Sequence, residues 1–135
     1  MAFGLLIASF AFAPLARVAP SNRPVSRLLA GSHSLSMSIP DKINKLVSQN
    51  DVVVFSKSFC PFCAKTKALF KEMNVKAEVL ELDLMDDGSE YQSELLKMTS
   101  QKSVPNVFVK GAHLGGNDDT QKARSSGKLA ELLAA

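Results

Sequence analysis

The stretch Val52-Val53-Val54-Phe55-Ser56-Lys57-Ser58-Phe59-Cys60-Pro61-Phe62-Cys63 decides how this chain folds. Its first four residues are an unbroken apolar run, the pattern of a central strand buried on both faces. A helix is expected to begin near Ser58 or Phe59, with Pro61 in its first turn, where a missing N–H costs nothing. Along that helix Phe62, Thr66, Leu69, Phe70 and Met73 share one face, while Lys65, Lys67, Lys71 and Glu72 fall on a solvated one. Cys60 and Cys63 therefore stand where a strand hands over to a helix. Free N–H groups and the positive end of the helix dipole favour a thiolate there. A thiolate with a second thiol one turn away is equipped for thiol–disulfide exchange.

These are the only two cysteines in the 135 residues. A bridge between them would close too short a loop to contribute much as a structural staple. One-chain zinc needs four ligands, and the only other thiol or imidazole candidates are His33 and His113, so no metal is expected. The pair is expected to be catalytic. The net charge of +3 offers no argument for nucleic acid. Residues 1–37 carry Arg17, Arg23 and Arg27 without an acid, and the remaining thirteen basic side chains are matched by thirteen acids.

That unbalanced leader, residues 1–37, is expected to be a disordered targeting segment ahead of one domain at 38–135. Met1 to Ala13 is apolar apart from Ser9 and too short to span a membrane. Small residues in Ala8-Ser9-Phe10-Ala11-Phe12-Ala13-Pro14 fit a signal cleavage region, and Pro14 to Ser38 is rich in Ser, Pro and Arg. The order resembles the bipartite leaders of algae with secondary plastids, with Phe10 and Phe12 at the junction. A plastid location is expected. A mitochondrial presequence, or a cytosolic product starting at Met37, are the alternatives.

In the body, Pro40-Asp41 opens a helix with Ile43, Leu46 and Val47 on one face. Ala77 to Leu84 is expected to form a strand with Leu80, Leu82 and Leu84 inward. A helix should run from about Glu90 to Thr99 with Tyr91, Leu95 and Met98 inward. Asn106–Val109 and Ala112–Leu114 should form a hairpin around Lys110-Gly111. Asp118 can cap a final helical stretch that breaks near Gly127 and closes over Lys128 to Ala134.

This α-β-α-β-α-β-β-α order around a Cys-x-x-Cys resembles the thioredoxin fold, an α/β fold with a four-stranded mixed sheet flanked by helices. Cys60-Pro61-Phe62-Cys63 is similar to the Cys-Pro-Tyr-Cys of dithiol glutaredoxins, with Phe for Tyr. Ser103-Val104-Pro105 is similar to the family's Thr-Val-Pro, and Gly115-Gly116-Asn117-Asp118-Asp119 matches a third segment. Over residues 40–135 the chain is identified as a member of the glutaredoxins.

The resemblance implies a glutathione-dependent thiol–disulfide oxidoreductase that reduces protein–glutathione mixed disulfides and protein disulfides, with Cys60 and Cys63 catalytic. It implies a cis Pro105 and glutathione as co-substrate. Lys57 and Gln92 would hold the glycyl carboxylate, and Lys57 would also favour the thiolate. Val104 before Pro105 would pair with the tripeptide backbone, as in strand addition, and Ser103 retains the hydroxyl of the family's Thr. Gly116, the following helix N-terminus and Asp118 would take the γ-glutamyl end, with Phe62 and Asn117 completing the set. Asp118 has a plainer role as a helix cap, Asp119 as dipole support, Lys102 as diffuse attraction for an anion, and His113 as a packing or surface residue. Cys63, one turn in, should be more buried and nearer an ordinary thiol. The expected partners are glutathione and disulfide-containing proteins, without nucleic acid or, in the mature form, membrane, and the chain should act as a monomer. The competing reading is an iron–sulfur cluster carrier, which Phe62 echoes and Pro61 and Cys63 oppose.

Overall fold

The computed structural model describes residues 36–135, and in it the central strand β1 (Val52–Ser56) is buried along its whole length. The expected leader lies outside the described residues except for its last two. Strands β2 (Glu78–Glu81), β3 (Asn106–Val109) and β4 (Ala112–Gly115) complete a sheet of order β2-β1-β3-β4. β1 runs parallel to β2 and antiparallel to β3, and β3 and β4 form the hairpin. Period-2 alternation along β1 sends its side chains to opposite faces. Val53 and Phe55 join Ile43, Tyr91, Leu95 and Phe108 under helices α1 (Ile39–Gln49) and α3 (Gly88–Thr99). Val52 and Val54 join Leu69, Phe70, Val107 and Leu129 under α2 (Pro61–Glu72), α4 (Asn117–Ser125) and α5 (Lys128–Ala134). One strand thus supplies both cores, and the Val104–Pro105 bond is cis. This is the thioredoxin fold.

Several boundaries differ from expectation, each for a local reason. The helix after β1 starts at Pro61, because Cys60 keeps extended dihedrals (φ −87°, ψ 118°) and serves as its N-cap. Phe62 leaves the inward face and is 52% exposed. The Lys65 ammonium sits 5.3 Å from its ring centroid, a cation–π contact. β2 stops at Glu81, and Leu82–Leu84 forms a 3₁₀ turn in place of strand. Leu82 is buried there but Leu84 is 73% exposed, so the alternating leucines do not mark a longer strand. The turn points Asp83 back at Ser58, whose amide donates to Asp83 Oδ1 at 2.8 Å and whose hydroxyl donates to Oδ2. Helix α3 begins two residues earlier than expected, at Gly88, where any Cβ would run into the Leu82 carbonyl. Met98 on α3 is exposed rather than inward. Beyond β4 the helical stretch divides into α4 and α5 at Gly127, which has φ +78°, where the break was expected.

Candidate active site

Cys60 is half-buried at the mouth of α2 and Cys63, one turn in, is fully buried; both are free thiols. Burial works against the Cys60 thiolate, yet its pKa is lowered overall. The lowering comes from the Cys63 thiol, from the amide N–H groups of Cys63 and Phe62, and from the Lys67 charge. The two amides are orphan donors of the helix's first turn and favour a charged N-cap sulfur, although Cys60 accepts no capping hydrogen bond in this structure. Cys63 moves the other way: burial pushes its pKa up, a Lys57 backbone contact opposes this, and the neighbouring Cys60 adds to the rise. The pair therefore divides into a nucleophile that favours its charged form and an inner thiol that resists ionising. On the open side, Cys60 Sγ lies 3.8 Å from the Val104 carbonyl oxygen.

Val104 belongs to an open groove of about 410 Å³ that begins beside α2 at Phe62 and passes Ser103, Val104 and Pro105. It ends at Gly116, Asn117 and Asp118, the N-terminus of α4. Seven of the expected binding residues therefore share one hollow. Lys57 and Gln92 line a second hollow of about 400 Å³, together with Lys102. Lys102 and Ser103, neighbours in the chain, fall one in each. Gln92 Nε2 donates to the Lys102 carbonyl at 3.0 Å, which ties α3 to the loop before Pro105.

The glycines at the groove's end differ in what they allow. Gly115 has φ +126°, and a Cβ there would collide with the Asp119 carboxylate. That carboxylate accepts the Gly116 N–H at 3.2 Å and caps the first turn of α4. A Cβ at Gly116 would meet Gln101 Nε2 at 3.6 Å and the Pro105 carbonyl at 3.7 Å, both ordinary contacts. The protein's own packing requires glycine at 115; at 116 its absence of a side chain keeps the groove open.

A family model described as Glutaredoxin matches residues 52–114. The chain is 47% identical over 97 residues to Glutaredoxin-1 of Rhizophagus irregularis, covering 72% of this chain and 96% of that protein. It belongs to the glutaredoxin family. Glutaredoxin-C8 of Oryza sativa subsp. japonica is 53% identical over 93 residues, 67% of this chain and 68% of the relative. A crystal structure of a buckwheat glutaredoxin–glutathione complex superposes with a TM-score of 0.70 at 40% identity, covering 71% of this chain and 87% of that one. Glutaredoxins are thiol–disulfide oxidoreductases, and Cys60-Pro61-Phe62-Cys63, at the junction of β1 and α2, is consistent with a Cys-x-x-Cys active site.

Four polar residues that brace the candidate site carry no motif in the sequence. Thr66, buried on α2, donates to Asn117 Oδ1 at 3.1 Å and joins the cysteine helix to α4. Gln101 Nε2 donates to the carbonyls of Ser103 (3.0 Å) and Pro105 (2.9 Å), bracing the groove floor from below. Asp83 latches the loop before Cys60 through Ser58, and the Lys57 charge falls on this carboxylate. Lys67, expected on a solvated face, is half-buried and ion-paired with Glu81. The partners of Thr66, Asp83 and Lys67 lie on other elements and those of Gln101 in its own loop, so helical or strand periodicity could not flag any of them. His113 is a surface residue whose ring rests beside Phe108, the centroids 5.2 Å apart.

Proposed function

We propose that this protein uses glutathione to reduce protein–glutathione mixed disulfides and, through both cysteines, protein disulfides. The observation that carries the reading is the placement of a thiolate-favouring Cys60 against the Val104 carbonyl, at the edge of a groove ending on a helix N-terminus. Glutathione is an extended anionic peptide. Its cysteinyl portion can pair with the Val104 backbone, and its γ-glutamyl carboxylate can meet the α4 amides. Asp118, exposed at that end, is a match for the ammonium, and Lys57 in the second hollow for the glycyl carboxylate. The glutathione complex of the buckwheat relative supports this assignment.

In the reaction, the Cys60 thiolate attacks the glutathione sulfur of a mixed disulfide. The protein–glutathione S–S bond breaks and the protein leaves as a thiolate, which takes a proton from water. A second glutathione thiolate then attacks Cys60-bound glutathione, giving glutathione disulfide and free Cys60. With a protein disulfide, Cys60 forms the mixed disulfide and Cys63 displaces the substrate thiolate; two glutathiones then reduce the Cys60–Cys63 bond. The test is turnover of a glutathionylated peptide with glutathione as reductant. Cys60→Ser should abolish it and Cys63→Ser should leave most of it; equal loss in both would contradict the division of labour.

The leader composition supports delivery to a plastid, where the domain would act as a monomer. A fluorescent protein fused to residues 1–40 should enter plastids; a diffuse cytosolic signal would count against the proposal.

A further inference from the structure

Behind the two thiols, three elements meet in one polar cluster that the reaction just described does not use. Ser56, the last residue of β1, is fully buried, and its hydroxyl donates to Glu81 Oε2 at 2.7 Å. Lys67, two turns along α2 from Cys60, ion-pairs with the other oxygen, Glu81 Oε1. Glu81 ends β2, directly paired with Ser56 in the sheet, so strand register places it. The side chains of Lys67 and Glu81 are only 32% and 23% exposed, and solvent screens them less than it would a surface pair.

Each partner of Glu81 also acts on one of the sulfurs. Lys67 is the charged side chain that contributes to the Cys60 thiolate, and the Ser56 hydroxyl favours the Cys63 thiolate. A serine hydroxyl has one proton to donate. In this arrangement it points to Glu81, with the Lys57 carbonyl a longer second acceptor at 3.5 Å, so Glu81 competes with Cys63 for that proton. The Lys67 charge is likewise offset by the carboxylate it holds. The Lys57 charge at this end acts on Asp83, on the loop side of Cys60.

We propose that Glu81 sets the redox poise of the Cys60–Cys63 pair by engaging the Lys67 ammonium and the single Ser56 hydroxyl proton that would otherwise serve the two sulfurs. Reduction of the internal bond by a dithiol gives two thiols, and any group that stabilises their ionised forms makes that reduction easier. Glu81 opposes this and keeps the pair a stronger reductant. The inference rests on the reading of Cys60 and Cys63 as one redox couple, and not on glutathione as partner.

The test is equilibration of the whole protein in buffers of reduced and oxidised dithiothreitol at pH 7, with the internal disulfide scored by thiol labelling. Glu81→Gln should reach half-reduction at a three- to tenfold lower ratio of reduced to oxidised dithiothreitol; tenfold corresponds to ~30 mV for a two-electron couple. Lys67→Gln should move the ratio the opposite way, and the double variant should return near wild type. A merely structural role would lower the melting temperature of both single variants without opposite redox shifts. A Glu81→Gln ratio within twofold of wild type, or moved in the same direction as Lys67→Gln, overturns the proposal, as does failure of the internal disulfide to form. Inactivity with glutathione alone would instead sink the substrate assignment and leave the dithiothreitol ratio readable.

Discussion

At Cys60, chemistry and stability are linked through protonation. Its folded pKa lies below the ordinary 9.0, so the thiolate's native contacts contribute fully above that value and are lost as pH falls through the folded pKa. Cys63 has the reverse sign: its pKa is raised, so its contribution is complete below the ordinary value and is lost as pH rises through the folded one. In Cys63→Ser, alkylation of Cys60 by iodoacetamide should therefore titrate with a midpoint below 9.0, and a midpoint at or above it would contradict the helix-amide account. Asp83 gives a second residue-scale expectation. Its carboxyl is held below the usual range by the Ser58 hydroxyl and amide, so the latch should persist through mildly acidic pH and fail only as pH drops past the folded value. Asp83→Asn should loosen the loop at all pH values, seen as faster amide exchange at Ser58. The thiol assignment was legible from the strand–helix junction alone. The latch was not, because Ser58 and Asp83 are 25 residues apart and only the tertiary structure joins them.

Among the elements, α4 shows how little backbone space the groove leaves. Gly115→Ala places a side chain in a left-handed conformation against the Asp119 carboxylate that caps the helix. It should cost ~1–3 kcal/mol in urea unfolding. Gly116→Ala should change stability by no more than ~0.5 kcal/mol, since its Cβ makes only ordinary contacts, while weakening glutathione binding several-fold by filling the groove. If the two variants lost stability equally, the asymmetry argued from the two glycines would be wrong. The glycine pair was visible in the sequence as a motif, but which glycine the fold needs depends on Asp119, three residues on. The leucines at 80, 82 and 84 illustrate the opposite failure. Their spacing has a strand's period, and a 3₁₀ turn that buries only Leu82 and exposes Leu84 shares it closely enough to mislead.

Across the whole molecule, two cores rest on one strand, and the last helix seals one of them. Leu129 on α5 is fully buried against the face formed by Val52, Val54 and Val107. Leu129→Ala should cost ~2–5 kcal/mol in chemical unfolding, with full glutathione-dependent activity retained at temperatures where the variant stays folded. The layered order of elements was readable because apolar runs and turn residues alternate along the chain. The polar ties between elements (Thr66 to Asn117, Gln92 to Lys102, Lys67 to Glu81) were not, since each depends on a partner brought close only by folding. The full burial of Cys63 has a further use. Its sulfur has no surface open to an alkylating reagent in the folded state, so the lag between labelling of Cys60 and of Cys63 should time the local opening that exposes it. The protein thus carries an internal stopwatch for its own breathing, readable by mass spectrometry without an added probe.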